Sequence, residues 1–296
     1  MNFSRKVLNP IAFKFMQIGG NFRRTDIKRI TLKHPPNKRN IFMLTTALAF
    51  LWPVKKQKEL ENNSTSITQS LLETADNLFE NGHYEQCYEL IKDHESEDNV
   101  EVQWRLCRVL YNMSKELKYD RSYKEKLTLR AFEIISKQLE KNNEHYAVHK
   151  WYALLLDAKS SLEGVKNQIR QLTTVKKHMD MAAALNPNDA TIFYMLGEWC
   201  FQITELPWHQ RRIAEVLFAT PPYSTYEDAL EYFLKAESVQ PRFYSLNLLR
   251  IGICYFRLKK EDQAKYYLTL AASYPAKSND DHRANTEAAE LLKKLK

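Results

Sequence analysis

From residue 66 onward, apolar side chains recur at a spacing near 3.6 and never settle into the alternation of a strand. Helical stretches alternate with short polar breaks, so the pattern predicts an all-α body. It also predicts repetition, at a period of about 34 residues that is clearest in the C-terminal half. When Leu196-Gly197 is laid over Ile251-Gly252, Cys200 and Tyr255 fall in register. Downstream, Ala264, Leu268 and Ala271 give a small–large–small sequence, and Ala229, Phe233 and Ala236 give the same one. Pro241 follows Ala236, and Pro187 follows Ala182, at the same interval.

These are the residue types of a tetratricopeptide-like helical-hairpin solenoid. Small residues let two antiparallel helices approach, and large ones are expected to fill the space between adjacent repeats. Proline after the second helix stops it. No single hairpin buries its apolar face alone, so several must stack. Five hairpins are expected. The first is the Ala75–Ile91 region with Gly82-His83-Tyr84 as its turn. The second contains Trp104, Cys107, Tyr111, Ala131 and Ile135, and the third runs from Trp151 to Pro187. The fourth, Phe193 to Pro241, is stretched by a helical insertion, and the fifth spans Leu248 to Pro275. Arg283–Lys296 is amphipathic and reads as a C-terminal capping helix.

The pattern stops short of the N-terminus. Residues 1–40 are rich in Lys and Arg, with Phe3, Val7, Ile11, Phe15 and Ile18 at helical spacing, broken at Pro10 and ended by Gly19-Gly20. That is the composition of a mitochondrial targeting segment, or of a basic tail. Residues 41–56 hold a run from Ile41 to Val54 without a charge. As a helix this run spans about 21 Å, short against a bilayer core of about 30 Å. It fits a short membrane anchor, the apolar part of a targeting signal, or a helix packed on the body. Residues 57–69 are a polar linker, and residues 70–296 are the repeat domain.

Charge follows the same division. The chain of 296 residues carries a formal net charge of +8, which alone suggests an acidic partner such as nucleic acid. Residues 1–58, however, hold 13 Lys and Arg against one acid, Asp26, a net +12. The rest holds 31 bases against 35 acids, a net −4. The folded body is mildly acidic, which argues against a nucleic-acid partner.

Catalytic chemistry is not indicated, and no enzyme activity or cofactor is expected. Six glycines are too few for a Rossmann or phosphate-loop fold. Cys87, Cys107, Cys200 and Cys254 are widely spaced, without a CxxC pair, and suit small apolar positions. His145 and His149 stand four apart but lack the acid of a zinc-protease motif, and read as surface histidines. Glu95, Glu97 and Asp98 read as a solvated acidic turn.

The distinctive segment is Thr204 to Thr225, where an ordinary repeat has a turn of a few residues. Pro207-Trp208 starts an extra helix and Pro221-Pro222 ends the insertion. Trp208, Arg211 and Arg212 are the residue types of a docking patch. Alternatively, Trp208, Ile213 and Leu217 pin the insertion to the solenoid.

The run from Leu206 to Leu230 closely resembles the regulator of microtubule dynamics protein family. So do His149–Tyr152, Leu185–Thr191, Leu196–Cys200 and Phe243–Leu249. The resemblance covers about residues 70–294 and lies nearest the family's short, mitochondria- and spindle-associated type. It implies a non-enzymatic adaptor on microtubules, with a spindle role, a mitochondrial pool and a cytoplasmic, cytoskeletal one. From a tether-type relative it also implies a second reading, a membrane-anchored module that binds or transfers phospholipid. A peptide-binding scaffold is the plainest use of such repeats. Tubulin tails are acidic, so contact is expected through local basic patches: Lys176-Lys177, Arg211-Arg212, Lys259-Lys260 and Lys293-Lys294.

Overall fold

The computed structural model describes residues 69–295. The targeting-like segment, the apolar run at 41–56 and nearly all of the linker lie outside them.

Within the described residues the chain is a series of helices. Helix α1 covers residues 69–80. It is followed by α2 (Tyr84–Ile91), a 3-10 turn (Lys92–His94), α3 (Val100–Met113), α4 (Arg121–Lys141), α5 (Tyr146–Leu162) and α6 (Val165–Leu185). Then come α7 (Ala190–Thr204), α8 (Trp208–Leu217), α9 (Tyr226–Val239), α10 (Ser245–Arg257), α11 (Glu261–Ala272) and α12 (Asn279–Lys294). The hairpins α3/α4, α5/α6, α7/α9 and α10/α11 pack internally, each leans on the next, and α12 closes the stack against α10 and α11.

The sequence explains where the helices start and stop. Asn99, Asp120 and Asp189 cap α3, α4 and α7 by accepting a backbone N–H of the first turn. Thr225 with Asp228, and Ser278 with Asp281, form reciprocal capping boxes at α9 and α12. The second of these sets the start of the capping helix at Asn279, four residues before its amphipathic pattern becomes visible. Gly82 (φ +77°) turns α1 into α2, with its own N–H bonded to Phe79 O and that of His83 to Leu78 O.

The small and large repeat residues meet inside a hairpin rather than between repeats, which corrects the expectation for Phe233 and Leu268. A Cβ added to Gly197 would lie 2.6 Å from the Phe233 ring, and one added to Gly252 would lie 2.7 Å from Leu268. The cysteines fill equivalent close contacts. Cys87 Sγ donates to Ala75 O at 3.2 Å and Cys107 Sγ to Ala131 O at 3.3 Å. All four cysteines are buried, and burial pushes the Cys87 thiol up to about 11, far from a reactive thiolate.

Two further expectations are corrected. His149 is no surface histidine: it is buried, its Nδ1 lies 2.8 Å from His178 Nδ1, and its Nε2 lies 2.6 Å from Asn143 O. His145 instead reaches Glu101 across the hairpins at 2.9 Å. The acids of the 95–98 turn are engaged rather than merely solvated. Glu97 meets His94 at 2.6 Å, Asp98 meets Lys141 at 2.9 Å, and Glu95 pairs with Arg130.

Candidate interaction surfaces

The insertion is a helix with two faces. Gln210 and Ala214 are buried, and Ile213 and Leu217 pack against the core. These four fasten α8 to the body, where it lies on α6. Trp208 does not share in this. It is 77% exposed, and Val216 and Tyr223 nearby are 85% and 75% exposed. An α-helix places residues four apart on one side, so Trp208, Arg212 and Val216 form an outward stripe. Arg211 reaches the carbonyls of Thr204 and Leu206 only at 3.4 Å, and Arg212 meets Glu215 at 3.2 Å; both arginines are exposed.

Neighbouring helix ends are tied to this edge through Glu205. Its carboxylate accepts from the Tyr226 hydroxyl and pairs with Arg257 at 3.0 Å, while the Arg257 guanidinium lies 5.9 Å from the Tyr226 ring. The ends of α7 and α10 and the start of α9 are thereby drawn together, and the chain turns at once into Lys259 and Lys260. Both lysines are exposed. Lys259 holds the left-handed conformation, φ 58°, in a turn where its N–H bonds Phe256 O and that of Lys260 bonds Tyr255 O. Trp208, Arg211 and Arg212 are thus exposed on α8, while Lys259 and Lys260 follow Arg257, which Glu205 ties to the end of α7. Lys176 differs. It is half-buried, bonded to Asp180 at 2.8 Å and placed over the Trp199 ring at 5.7 Å, while Lys177 beside it is exposed.

The inner face holds a second constellation that sequence reasoning did not single out. Trp104, Arg108 and Tyr111 of α3, Lys150 and Trp151 of α5, and Tyr194 of α7 line a pocket of about 120 Å³. Its cations are all matched. Arg105 and Arg108 clamp Asp76 at 2.8 and 2.5 Å, Arg105 also holds Glu101 at 2.6 Å, and Lys150 meets Asp189 at 2.6 Å. Arg108 lies 3.9 Å from the Phe79 ring, and its Nε is buried without a partner. The His145 imidazole, with Arg105 and Trp104, holds the Glu101 carboxyl down at about 2 against the opposing effect of burial. Burial opposes the Asp76 charge too, yet the two guanidiniums keep its pKa below the usual carboxylate value. The signal lay in the i, i+3 and i+4 spacing along the first helix of each hairpin, which places these residues on one stripe.

The first and last hairpins face one another across a cleft of about 1160 Å³. Phe79 and Tyr84 line one wall; Phe243, Tyr244 and Tyr274 line the other, among polar groups of Gln240, Arg242 and Asn279. No group of three or more potential metal ligands occurs among the described residues, and no described helix is long and apolar enough to cross a membrane.

The family model described as Regulator of microtubule dynamics protein 1-3 matches residues 71–296. The chain is 41% identical over 230 residues to Regulator of microtubule dynamics protein 1 of Pongo abelii, covering 78% of this chain and 73% of that one. With the Homo sapiens protein of the same name it shares 44% over 189 residues, 64% of this chain and 61% of that one. With Regulator of microtubule dynamics protein 3 of Rattus norvegicus it shares 36% over 188 residues, 64% of this chain and 40% of that one. Among solved structures it is similar to a thermophilic TPR protein of Thermus thermophilus, with a TM-score of 0.52 at 14% identity, covering 75% of this chain and 98% of that one. This likeness shows the tetratricopeptide-type fold.

Proposed function

We propose, from the premise that the chain belongs to the regulator of microtubule dynamics protein family, that it is a non-enzymatic, microtubule-associated adaptor. Its relatives' names support a microtubule-related role. The edge built by α8 and the α10–α11 turn carries the contact in this reading.

One observation carries the proposal. Arg211, Arg212, Lys259 and Lys260 all stay exposed on an otherwise mildly acidic body, the two arginines on the same short helix as the exposed Trp208. Exposed cations attract an acidic polymer such as the tubulin tails over about a Debye length, about 8 Å in physiological salt. An exposed tryptophan flanked by arginines adds the composition of an interface centre. Lys176 contributes less, because Asp180 already neutralises it. A mitochondrial pool rests on residues 1–40, and spindle association on the family resemblance. The walls of the large cleft mix amides and charges with aromatic rings and form no continuous apolar tunnel, so the phospholipid-transfer reading gains little support from it.

Co-sedimentation of the full chain with microtubules tests the reading. The variant with Arg211, Arg212, Lys259 and Lys260 all changed to Glu is expected to bind at least about fivefold more weakly. Binding by the unaltered chain is expected to fall as salt rises and when the acidic tubulin tails are removed with subtilisin. Binding that is insensitive to the four changes, to salt and to tail removal would overturn it.

A further inference from the structure

A solenoid needs a closing element at each end, because a terminal hairpin otherwise leaves one flank to solvent. At the C-terminal end α12 supplies it, packing on α10 and α11 with Ala284 and Ala288 buried. At the other end, α1 and α2 have no preceding hairpin among the described residues.

Which flank is bare follows from the partners on the other. Asp76 of α1 holds Arg105 and Arg108 of α3, and the Tyr88 hydroxyl of α2 accepts from Arg130 of α4 at 2.8 Å. At 100° per residue, positions two or five away along a helix point to the opposite side. On α1 these are Leu71, Thr74 and Leu78, and on α2 they are Gln86 and Leu90. Thr74 and Gln86 are exposed, and the three leucines are only half-buried. Asp93, three residues beyond Leu90, is exposed and forms no ion pair among the described residues. The bare flank is thus a strip of leucines with an acid at its end.

Charge points to the occupant. Residues 69–101 hold ten carboxylates and a single Lys or Arg, Lys92. Later helices pair five more cations with these acids: Arg105, Arg108, Lys118, Arg130 and Lys141. Counted with Lys92, they still leave four negative charges in excess. The chain just upstream is opposite in sign. Residues 1–68 hold 13 Lys and Arg against Asp26, Glu59 and Glu61, a net +10. Within them the charge-free run from Ile41 to Val54 is followed at once by Lys55, Lys56 and Lys58.

Length agrees with charge. The ten residues from 59 to 68 reach at most about 35 Å. That is ample for a chain that has only to double back along α1, which is about 18 Å long. As a helix the run spans about 21 Å, a match for α1 and too short for a bilayer core of about 30 Å.

We propose that residues 41–58 of this chain close the N-terminal end of the solenoid. The apolar run lies on Leu71, Leu78 and Leu90, and the lysines behind it meet the surplus carboxylates of the first hairpin. This contact is independent of the α8 helix and stands whether or not the chain binds microtubules.

Photo-crosslinking on the full chain tests it. One variant is Thr74→p-benzoylphenylalanine, on the bare flank; the control is Glu290→p-benzoylphenylalanine, exposed on α12 at the other end. Irradiation of the first is expected to crosslink it, within one molecule, to peptides of residues 41–58. The yield is expected to exceed the control at least about fivefold, since a short tether gives a millimolar effective concentration. Adding Leu48→Asp and Leu51→Asp, both outside the described residues, is expected to bring the yield down to that of the control. The crosslink is expected to persist when phosphatidylcholine vesicles are present. A yield equal to the control, crosslinks only between isotopically distinct copies, a yield unaltered by the two aspartates, or replacement of the crosslink by lipid adducts would overturn the proposal.

Discussion

The Phe233 ring rests on the bare backbone of Gly197, so closely that a Cβ there would stand 2.6 Å from two of its carbons. Phe233 is fully buried and ringed by Tyr194 at 5.8 Å, so it cannot swing away from the added methyl group. Gly197→Ala is therefore expected to destabilise the domain by about 1–3 kcal/mol by overpacking. Combining it with Phe233→Leu should recover part of the loss, because the smaller side chain vacates the space. Urea unfolding of the single and double variants checks both expectations. Simple additivity of the two losses would show that the contact is not the cause.

A second relationship joins helices distant in sequence. Glu198 of α7 is 2% exposed and its carboxylate is held by Arg250 of α10, whose guanidinium also lies 4.5 Å from the Phe201 ring. Arg250→Met keeps the apolar stem but leaves a buried carboxylate unpaired, at an expected cost of about 3–5 kcal/mol. Adding Glu198→Gln should restore more than half of that, since the remaining group is then neutral. Chemical denaturation of the three variants measures the cycle.

How much of this was legible in the sequence depends on the range of the interaction. Gly197, Gly252, Ala229 and Pro241 mark a hairpin locally, so the order of helices and the insertion could be read directly. Partners across hairpins could not. Nothing in the spacing of Glu198 and Arg250, or of His149 and His178, announces a contact made through the stacking of hairpins. The exposure of Trp208 was undecidable for a related reason: its helix offers apolar residues on two faces, and only the packing of Ile213 and Leu217 shows which one is buried. The inner pocket was missed because Arg105, Arg108 and Lys150 read as ordinary helix-surface charges until three helices are aligned side by side.

The His149–His178 pair gives the domain an acid-sensitive seam. His149 donates from Nε2 to Asn143 O, so its Nδ1 must accept the proton carried on His178 Nδ1, and the pair has no room for a second proton between the rings. Burial, then the neighbouring His149 and Lys177, holds His178 down at about 4 against its ordinary 6.5. The unfolded chain thus takes up a proton below pH 6.5 that the folded chain refuses until about pH 4. Stability from this group is complete above pH 6.5 and is lost as pH falls through that window. With His178 only half-buried, the expected loss from pH 7 to 5 is about 1 kcal/mol. Glu101, held at about 2, adds a second loss below about pH 4.5. Denaturation midpoints followed from pH 7 to 3 should decline, and His178→Gln should flatten the upper part of that decline while leaving the limb below about pH 4.5 in place.

Lys259 permits a test in which stability and function move in opposite directions. Its φ of 58° ends α10 in the left-handed region, where a side chain costs about 1 kcal/mol relative to glycine. It forms no ion pair among the described residues, and its backbone alone closes the turn through the bond to Phe256 O. If the lysine served only the turn, glycine would serve better. If its charge is one of the cations that meets an acidic partner, removing it weakens that contact whatever happens to the fold. Lys259→Gly is accordingly expected to raise the melting temperature by a few degrees, corresponding to about 1 kcal/mol. The same variant should bind microtubules more weakly and with a shallower dependence on salt. A thermal melt and a co-sedimentation series on the same preparation read both effects. A stabilised variant that binds as well as the parent would remove Lys259 from the interface and leave the edge to Trp208, Arg211 and Arg212.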